Sequence, residues 1–238
     1  MKTLNDLKTR LEALPAIRVG RDHEALYAAF LKKSILAMSN LLTAERGASH
    51  ASPILPAPAY NEVSKTIKKN SRIASGLRAK LTVNPSKVVD KNIEDSFTRL
   101  FENANLALTT CQTTWEVQLE GKIKDWRAIA EVVSTLGEGG DAKAMKVQAR
   151  KLKSSLDSLT QTKKSLPQDE GAASKAQKDL NELTDSVSQL GLDTPFGKFL
   201  QDAASPRGAD LSASQVEEVA KQIAALKLDK VFRVRLSS

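Results

Sequence analysis

From residue 86 to residue 136, apolar side chains recur every three or four positions with no proline among them, and this run constrains the fold more than any other feature. The series is Val89, Ile93, Phe97, Leu100, Ala104, Leu108, Cys111, Trp115, Leu119, Ile123, Trp126, Ile129, Val133 and Leu136. Spacing of this kind puts all of them on one side of a helix, which at ~1.5 Å per residue would extend roughly 75 Å if unbroken. Thr109, Thr110, Thr113, Thr114 and Gly121 have low helix propensity, so a bend is expected there. Gly137, Glu138, Gly139 and Gly140 end the run. They lack the following Lys-Ser/Thr and the preceding strand of a phosphate-binding loop, so they read as a hairpin turn.

Residues 141–166 continue with Met145, Ala149, Leu152, Leu156, Leu159 and Leu166, a heptad seam. Folding this segment back about the glycines pairs Val133 with Met145, Ile129 with Ala149, Trp126 with Leu152 and Leu119 with Leu159. The residue numbers of each pair add to 278, a centre on Gly139. A second centre, with numbers adding to 339, pairs Leu166 with Ala173, Leu159 with Leu180, Leu156 with Leu183, Leu152 with Val187 and Ala149 with Leu190. It falls within Pro167–Gly171. The expected architecture is all-α: an elongated antiparallel three-helix coiled coil over about 86–190, with a smaller amino-terminal helical region. Its shape is similar to that of a spectrin-type repeat, a likeness of architecture that rests on periodicity alone.

The flanking regions read as shorter elements. Leu4, Leu7, Leu11 and Leu14 mark a helix stopped by Pro15. A second helix, capped by Asp22, carries Leu26, Tyr27, Phe30, Leu31, Ile35, Met38, Leu41 and Leu42 as its buried stripe and ends near Gly47. Residues 47–58 form a Pro- and Ser-containing linker. A third helix over about 59–81 uses Tyr60, Val63, Ile67, Ile73 or Ala74, and Leu77, and Asn84-Pro85-Ser86 breaks it. Beyond a helix stop at Gly191 come a short helix at Phe196–Leu200, a loop at 205–208, and a helix opened by a capping box at Ser214–Glu217. Phe232, Val234 and Leu236 alternate with Arg233 and Arg235, as Ile17 and Val19 flank Arg18. These two segments are expected to form short strands that pair with each other or with a partner. The resulting divisions are 1–84, 85–191 and 192–238.

Composition narrows the function classes. No apolar run approaches the roughly 18 residues of a membrane span, and Asp6 interrupts any leader-like start. A single Cys111 precludes an intrachain disulfide and suits a reducing compartment, so a cytoplasmic location is expected. His23 and His50 are the only histidines and lie in different contexts, so neither a Cys/His zinc site nor a Ser–His–acid triad is expected. No catalytic, metal or cofactor residues are assigned. Cys111, Trp115 and Trp126 are expected in the core.

The net charge of +8 is unevenly spread: +3 over 1–46, 0 over 47–56, +6 over 57–91, −4 over 92–140, +5 over 141–166, −4 over 167–205 and +2 over 206–238. Packed neighbours of opposite sign would partly neutralise one another, which weakens the nucleic-acid inference that a pI of 9.5 invites. The preferred expectation is a non-enzymatic scaffold or accessory subunit that binds protein partners or self-associates into homo-oligomers, with Phe232, Val234 and Leu236 as a candidate partner strand. The first alternative is a nucleic-acid-binding subunit using Lys65, Lys68, Lys69, Arg72, Arg78 and Lys80. The lower alternative is a peripheral membrane-surface protein using the helix at 57–80, where Tyr60 is the only aromatic anchor.

Overall fold

The computed structural model describes residues 2–12, 23–139, 143–203, 211–226 and 228. The fold is all-α. Its helices are α1 (Lys2–Glu12), α2 (Glu24–His50), α3 (Ala57–Val83), α4 (Lys91–Gly139), α5 (Lys143–Thr162), α6 (Glu170–Gln189), α7 (Pro195–Ala203) and α8 (Ala213–Ala225), with a 3-10 turn at Pro85–Val89. No strand occurs among the described residues. The segments at 17–19 and 232–236, Pro15, Asp22, Gly140 and the loop at 205–208 lie outside them. None of the helices is long and apolar enough to cross a membrane.

The chain gathers into two units, Met1–Val117 with Ser165–Ala173 and Gln118–Lys164 with Ser174–Ser238. The boundaries run through α4 and α6, where the apolar spacing carries on without a break.

In the first unit α1 packs on α3 and α2, and α2 on α3. Phe30 of α2 stacks on Phe97 of α4 with ring centroids 4.8 Å apart and planes 15° from parallel, and both rings are buried. Such pairs add about 0.5–1.5 kcal/mol beyond the area they bury. The expected stripe of α2 needs correction. The buried residues are Tyr27, Phe30, Ser34, Ala37, Met38, Leu41, Ala44, Gly47 and Ala48, whereas Leu26 is 37% and Ile35 70% exposed. The small residues let neighbouring helices approach closely, and Ile35 and Leu36 beside them lie outward.

The same close approach explains why α2 does not end at Gly47 but continues to His50, leaving only residues 51–56 as the connection to α3. Gly47 is buried, and a Cβ there would lie 2.7 Å from Leu166 Cβ. The glycine is a contact point, and helical geometry suits it. Leu166, expected in the seam of the fifth helix, instead lies beyond the end of α5. Its amide donates to Gln112 Oε1 at 3.0 Å, and the Gln168 side chain reaches Thr43 O at 3.3 Å. Across the α3–α4 junction the expected break at Asn84 is present. Asn84 Oδ1 accepts from the Ser86 amide at 3.1 Å, and α4 starts at Lys91, with Val88 buried in place of the exposed Val89.

Helix α4 runs without a break through the threonines. Thr114 Oγ1 donates to Thr110 O at 2.7 Å, which satisfies the hydroxyl within the helix, and Cys111 and Trp115 beside them are fully buried.

In the second unit the end of α4 and the end of α5 run antiparallel. Lys163 Nζ donates to Glu120 Oε2 at 2.6 Å and Arg127 Nη2 to Thr160 Oγ1 at 3.3 Å. These partners' numbers add to 283 and 287, so these side chains meet about one and a half and two and a half turns from the expected 278 register. Trp126 is half-buried in place of the full burial expected. Between α5 and α6, Ser158 Oγ donates to Asp179 Oδ2 at 2.6 Å, with numbers adding to 337, within one helical turn of the expected 339. Leu156, Leu159, Leu180 and Leu183 are buried beside it.

The end of α6 is a Schellman motif. Leu192 N donates to Val187 O at 2.9 Å and Gly191 N to Ser188 O at 3.0 Å, with Gly191 at φ +65°. At the start of α8 the box forms two residues earlier than expected: Gln215 Oε1 accepts from the Ser212 amide at 3.0 Å.

Candidate interaction surfaces

Two faces of the first unit stand out. On α3 the residues Ala59, Val63, Ile67, Asn70, Ser71, Ala74, Leu77 and Leu81 are buried. At about 100° per residue, Lys65, Lys68, Lys69 and Arg72 occupy an arc of roughly 100° on the opposite side, and all four are exposed. Arg78 is also exposed but lies towards the flank of the buried face, whereas the exposed Lys80, eleven residues and about three turns beyond Lys69, falls at the edge of the cation arc, so the helix gathers five of the six expected cations. Lys65 pairs with Glu62 at 2.6 Å, and Lys69 Nζ donates to Asn103 Oδ1 at 3.0 Å. The apolar side of α3, which membrane contact would require, is turned into the core, and Tyr60 is 43% exposed.

The second face is a groove of about 400 Å³ between α1 and α2, lined by Lys8, Leu11, Glu12, Leu31, Ser34, Ile35, Met38, Ser39 and Leu42. The Lys8–Glu12 ion pair, at 3.7 Å, crosses its rim. Periodicity in α2 explains the groove. Beside the buried heptad series runs a second one, Ala28, Leu31, Ile35, Met38 and Leu42, offset by one residue. A single helix therefore carries two apolar seams, of which one is buried throughout and the other is buried only at Met38. The sequence contained this signal, since Leu26 to Leu42 holds more apolar positions than one stripe accommodates.

Elsewhere the titratable groups are structural. Burial pushes the Cys111 thiol up to about 11; the side chain is inaccessible and sits 4.0 Å from Ala59 O. Hydrogen bonding from Lys163, with Arg127 in support, holds the Glu120 carboxyl below its ordinary range against the opposing effect of burial. Arg127 grips that carboxylate in a bidentate manner at 2.8 and 3.0 Å. His23 precedes α2 and His50 is its last residue, in place of the linker position expected for His50. No group of three or more His, Cys, Asp or Glu side chains that could hold a metal ion occurs among the described residues. Phe232, Val234 and Leu236 lie outside those residues. Comparison with protein-family models, curated proteins and solved structures finds no match to this chain.

Proposed function

We propose that this chain is a non-enzymatic helical interaction subunit of a larger cytoplasmic assembly, and that the outer seam of α2 is its docking face. One observation carries the proposal: Leu31, Ile35, Met38 and Leu42 follow the four-three-four spacing of a helix-packing seam, and although Met38 is buried, Leu31 and Leu42 are only half-buried, Ile35 stays 70% exposed and the groove beside it is open. A partner suited to this face is an amphipathic helix with apolar side chains at the same spacing. Its leucine-sized anchors would each gain about 1.5–3 kcal/mol on full burial.

The test is photo-crosslinking in the native host from position 39 at the groove edge, with Gln201 on α7 as a control position. Discrete protein adducts from position 39 that survive nuclease and vanish in Ile35→Glu are expected. Adducts no more abundant than from position 201 refute the proposal.

A second reading, nucleic-acid binding through α3, is favoured by the four cations opposite its buried side. Lys65→Ala, Lys68→Ala, Lys69→Ala and Arg72→Ala together should flatten the dependence of log affinity on log salt by about 0.9 for each phosphate that is no longer neutralised. Wild-type protein that leaves a fluorescent duplex and a single strand unbound at low salt refutes it.

A further inference from the structure

We infer that the partner on the outer seam of α2 is a second copy of this chain, paired antiparallel about Ile35; this rests on the docking face proposed above and names its occupant. The basis is a two-fold pattern in the residues of that face. In an antiparallel pair centred on one residue, facing positions have numbers that add to twice the central one, and for Ile35 that value is 70. Glu24 then faces the partner's Arg46, Ala28 the partner's Leu42, Leu31 the partner's Ser39, and Ile35 the partner's Ile35.

Glu24 and Arg46 each lie eleven residues from Ile35, about three helical turns, which returns both to the same side of α2 as Ile35. Both are exposed. The face is therefore acidic at its start, apolar along its middle and basic at its end. It is complementary to itself when reversed, as an isologous interface requires, and laid parallel on a copy it would set like charges side by side. The two-fold axis would pass through Ile35, which at 70% has the greatest exposure of any large apolar residue on α2.

The size of the face sets the expected strength. Residues 24–46 span roughly 33 Å, and a helix is about 10 Å wide, so each copy contributes a narrow strip. Interfaces at the small end of the range, under about 1,200 Å² in total, belong to weak and reversible complexes. The dimer is accordingly expected to dissociate in the micromolar range.

The full chain should be followed by sedimentation equilibrium across concentrations up to about 1 mM at low salt, a condition that favours the paired charges. The expected mass rises from 25.8 kDa towards twice that value. Arg46→Glu replaces two attractive pairings by two repulsive ones and should weaken association about tenfold or more. Glu24→Arg combined with Arg46→Glu should restore it to within about threefold. Both sites are on the surface, so neither variant puts folding at risk, and circular dichroism checks this. A short bismaleimide should link Ile35→Cys to itself and leave Leu36→Cys, exposed but off the seam, unlinked. A mass of 25.8 kDa at every concentration overturns the inference, as does a dimer indifferent to Arg46→Glu. If position 39 crosslinks in cells to other proteins while the purified chain stays monomeric, the docking face stands and the second copy as its occupant falls.

Discussion

Replacing Asn70 by Asp should destabilise the protein by about 3–5 kcal/mol at neutral pH, although the two side chains have the same shape. Asn70 is fully buried between α3 and α4. Its Nδ2 donates to Leu100 O at 3.0 Å, its Oδ1 accepts from Asn103 Nδ2 at 3.0 Å, and Asn103 Oδ1 in turn accepts from Lys69 Nζ. An aspartate keeps the bond from Asn103 but sets an oxygen against the Leu100 carbonyl, two acceptors about 3 Å apart with a charge on one of them. Asn70→Ala loses both bonds, yet the half-buried Asn103 amide can turn to water, so the expected cost is only about 2 kcal/mol. Burial raises the folded pKa of the introduced carboxyl above its unfolded value of about 3.9. The protonated acid can donate to Leu100 O as the amide does. The advantage of Asp over Ala is therefore fully present below about pH 3.9 and is lost, then reversed, as pH rises through the folded value. Urea unfolding of wild type, Asn70→Ala and Asn70→Asp, followed by circular dichroism between pH 3.5 and 8, measures this. If Asn70→Asp matches Asn70→Ala at neutral pH, or if their difference does not change with pH, the hydrogen-bond directions assigned to this cluster are wrong.

Three further outcomes follow from the same packing. Gly47→Ala should cost about 1–3 kcal/mol in urea unfolding, because its methyl group would meet Leu166 Cβ at 2.7 Å; a neutral or stabilising result would mean that α2 and the 166–168 segment do not touch. Glu120→Gln should cost about 0.5–1 kcal/mol at pH 7, a modest figure because the carboxylate is a third exposed. The folded pKa of Glu120 is depressed, so its contribution is present above the unfolded value of about 4.3 and disappears as pH falls through the folded one; a difference from wild type that persists at pH 3 would contradict the pairing with Lys163 and Arg127. Cys111 should resist a thiol reagent in native protein at pH 8 and react in full after denaturation, since burial both shields the sulfur and suppresses its thiolate; native reaction at the rate of a free thiol would place it at the surface.

The fold class was legible because helical periodicity is a property of neighbours in sequence, and α4 to α6 carry it strongly. What failed was whatever depends on how closely two helices approach. Helix α4 is unbroken at Thr109–Thr114 because weak helix propensity costs a few tenths of a kcal/mol per residue, while the burial of Cys111 and Trp115 stabilises several times that. Gly47 read as a stop because glycine ends helices often, yet here it admits Leu166. The α4–α5 contacts lie about one and a half to two and a half turns from the expected register for a related reason. A seam that repeats every three or four residues matches itself after sliding, so apolar spacing alone cannot choose among registers, and the length of the turn decides. Glu120–Lys163 and Arg127–Thr160 mark the register that forms. The candidate site was half legible: the cation arc of α3 follows from spacing alone, whereas spacing shows two apolar seams on α2 but not which of them stays open.

The groove was hidden by an assumption about size. Reading Leu31, Ile35 and Leu42 as part of the buried stripe follows the rule that larger apolar residues have more to gain from burial. In α2 size does not decide, since Ser34, Ala37, Ala44, Gly47 and Ala48 are buried together with Tyr27, Phe30, Met38 and Leu41 while Ile35 and Leu36 lie outward. Close packing selects small residues wherever backbones come near each other, so the first seam is narrow by necessity. The second seam is then left with bulk and no room on the same side. An isolated exposed leucine or isoleucine needs no explanation, because much of any protein surface is apolar. A run at four-three-four spacing, with a carboxylate three turns before its centre and a guanidinium three turns after, is a different matter. Chance exposure gives no reason for that symmetry about Ile35, whereas a reversed copy of the same helix requires it. This is why charge reversal at Arg46 and its rescue at Glu24 discriminate more sharply than removing Ile35. Loss of an apolar anchor weakens any partner, while restoration by the second reversal occurs only if the two charges meet across a two-fold axis.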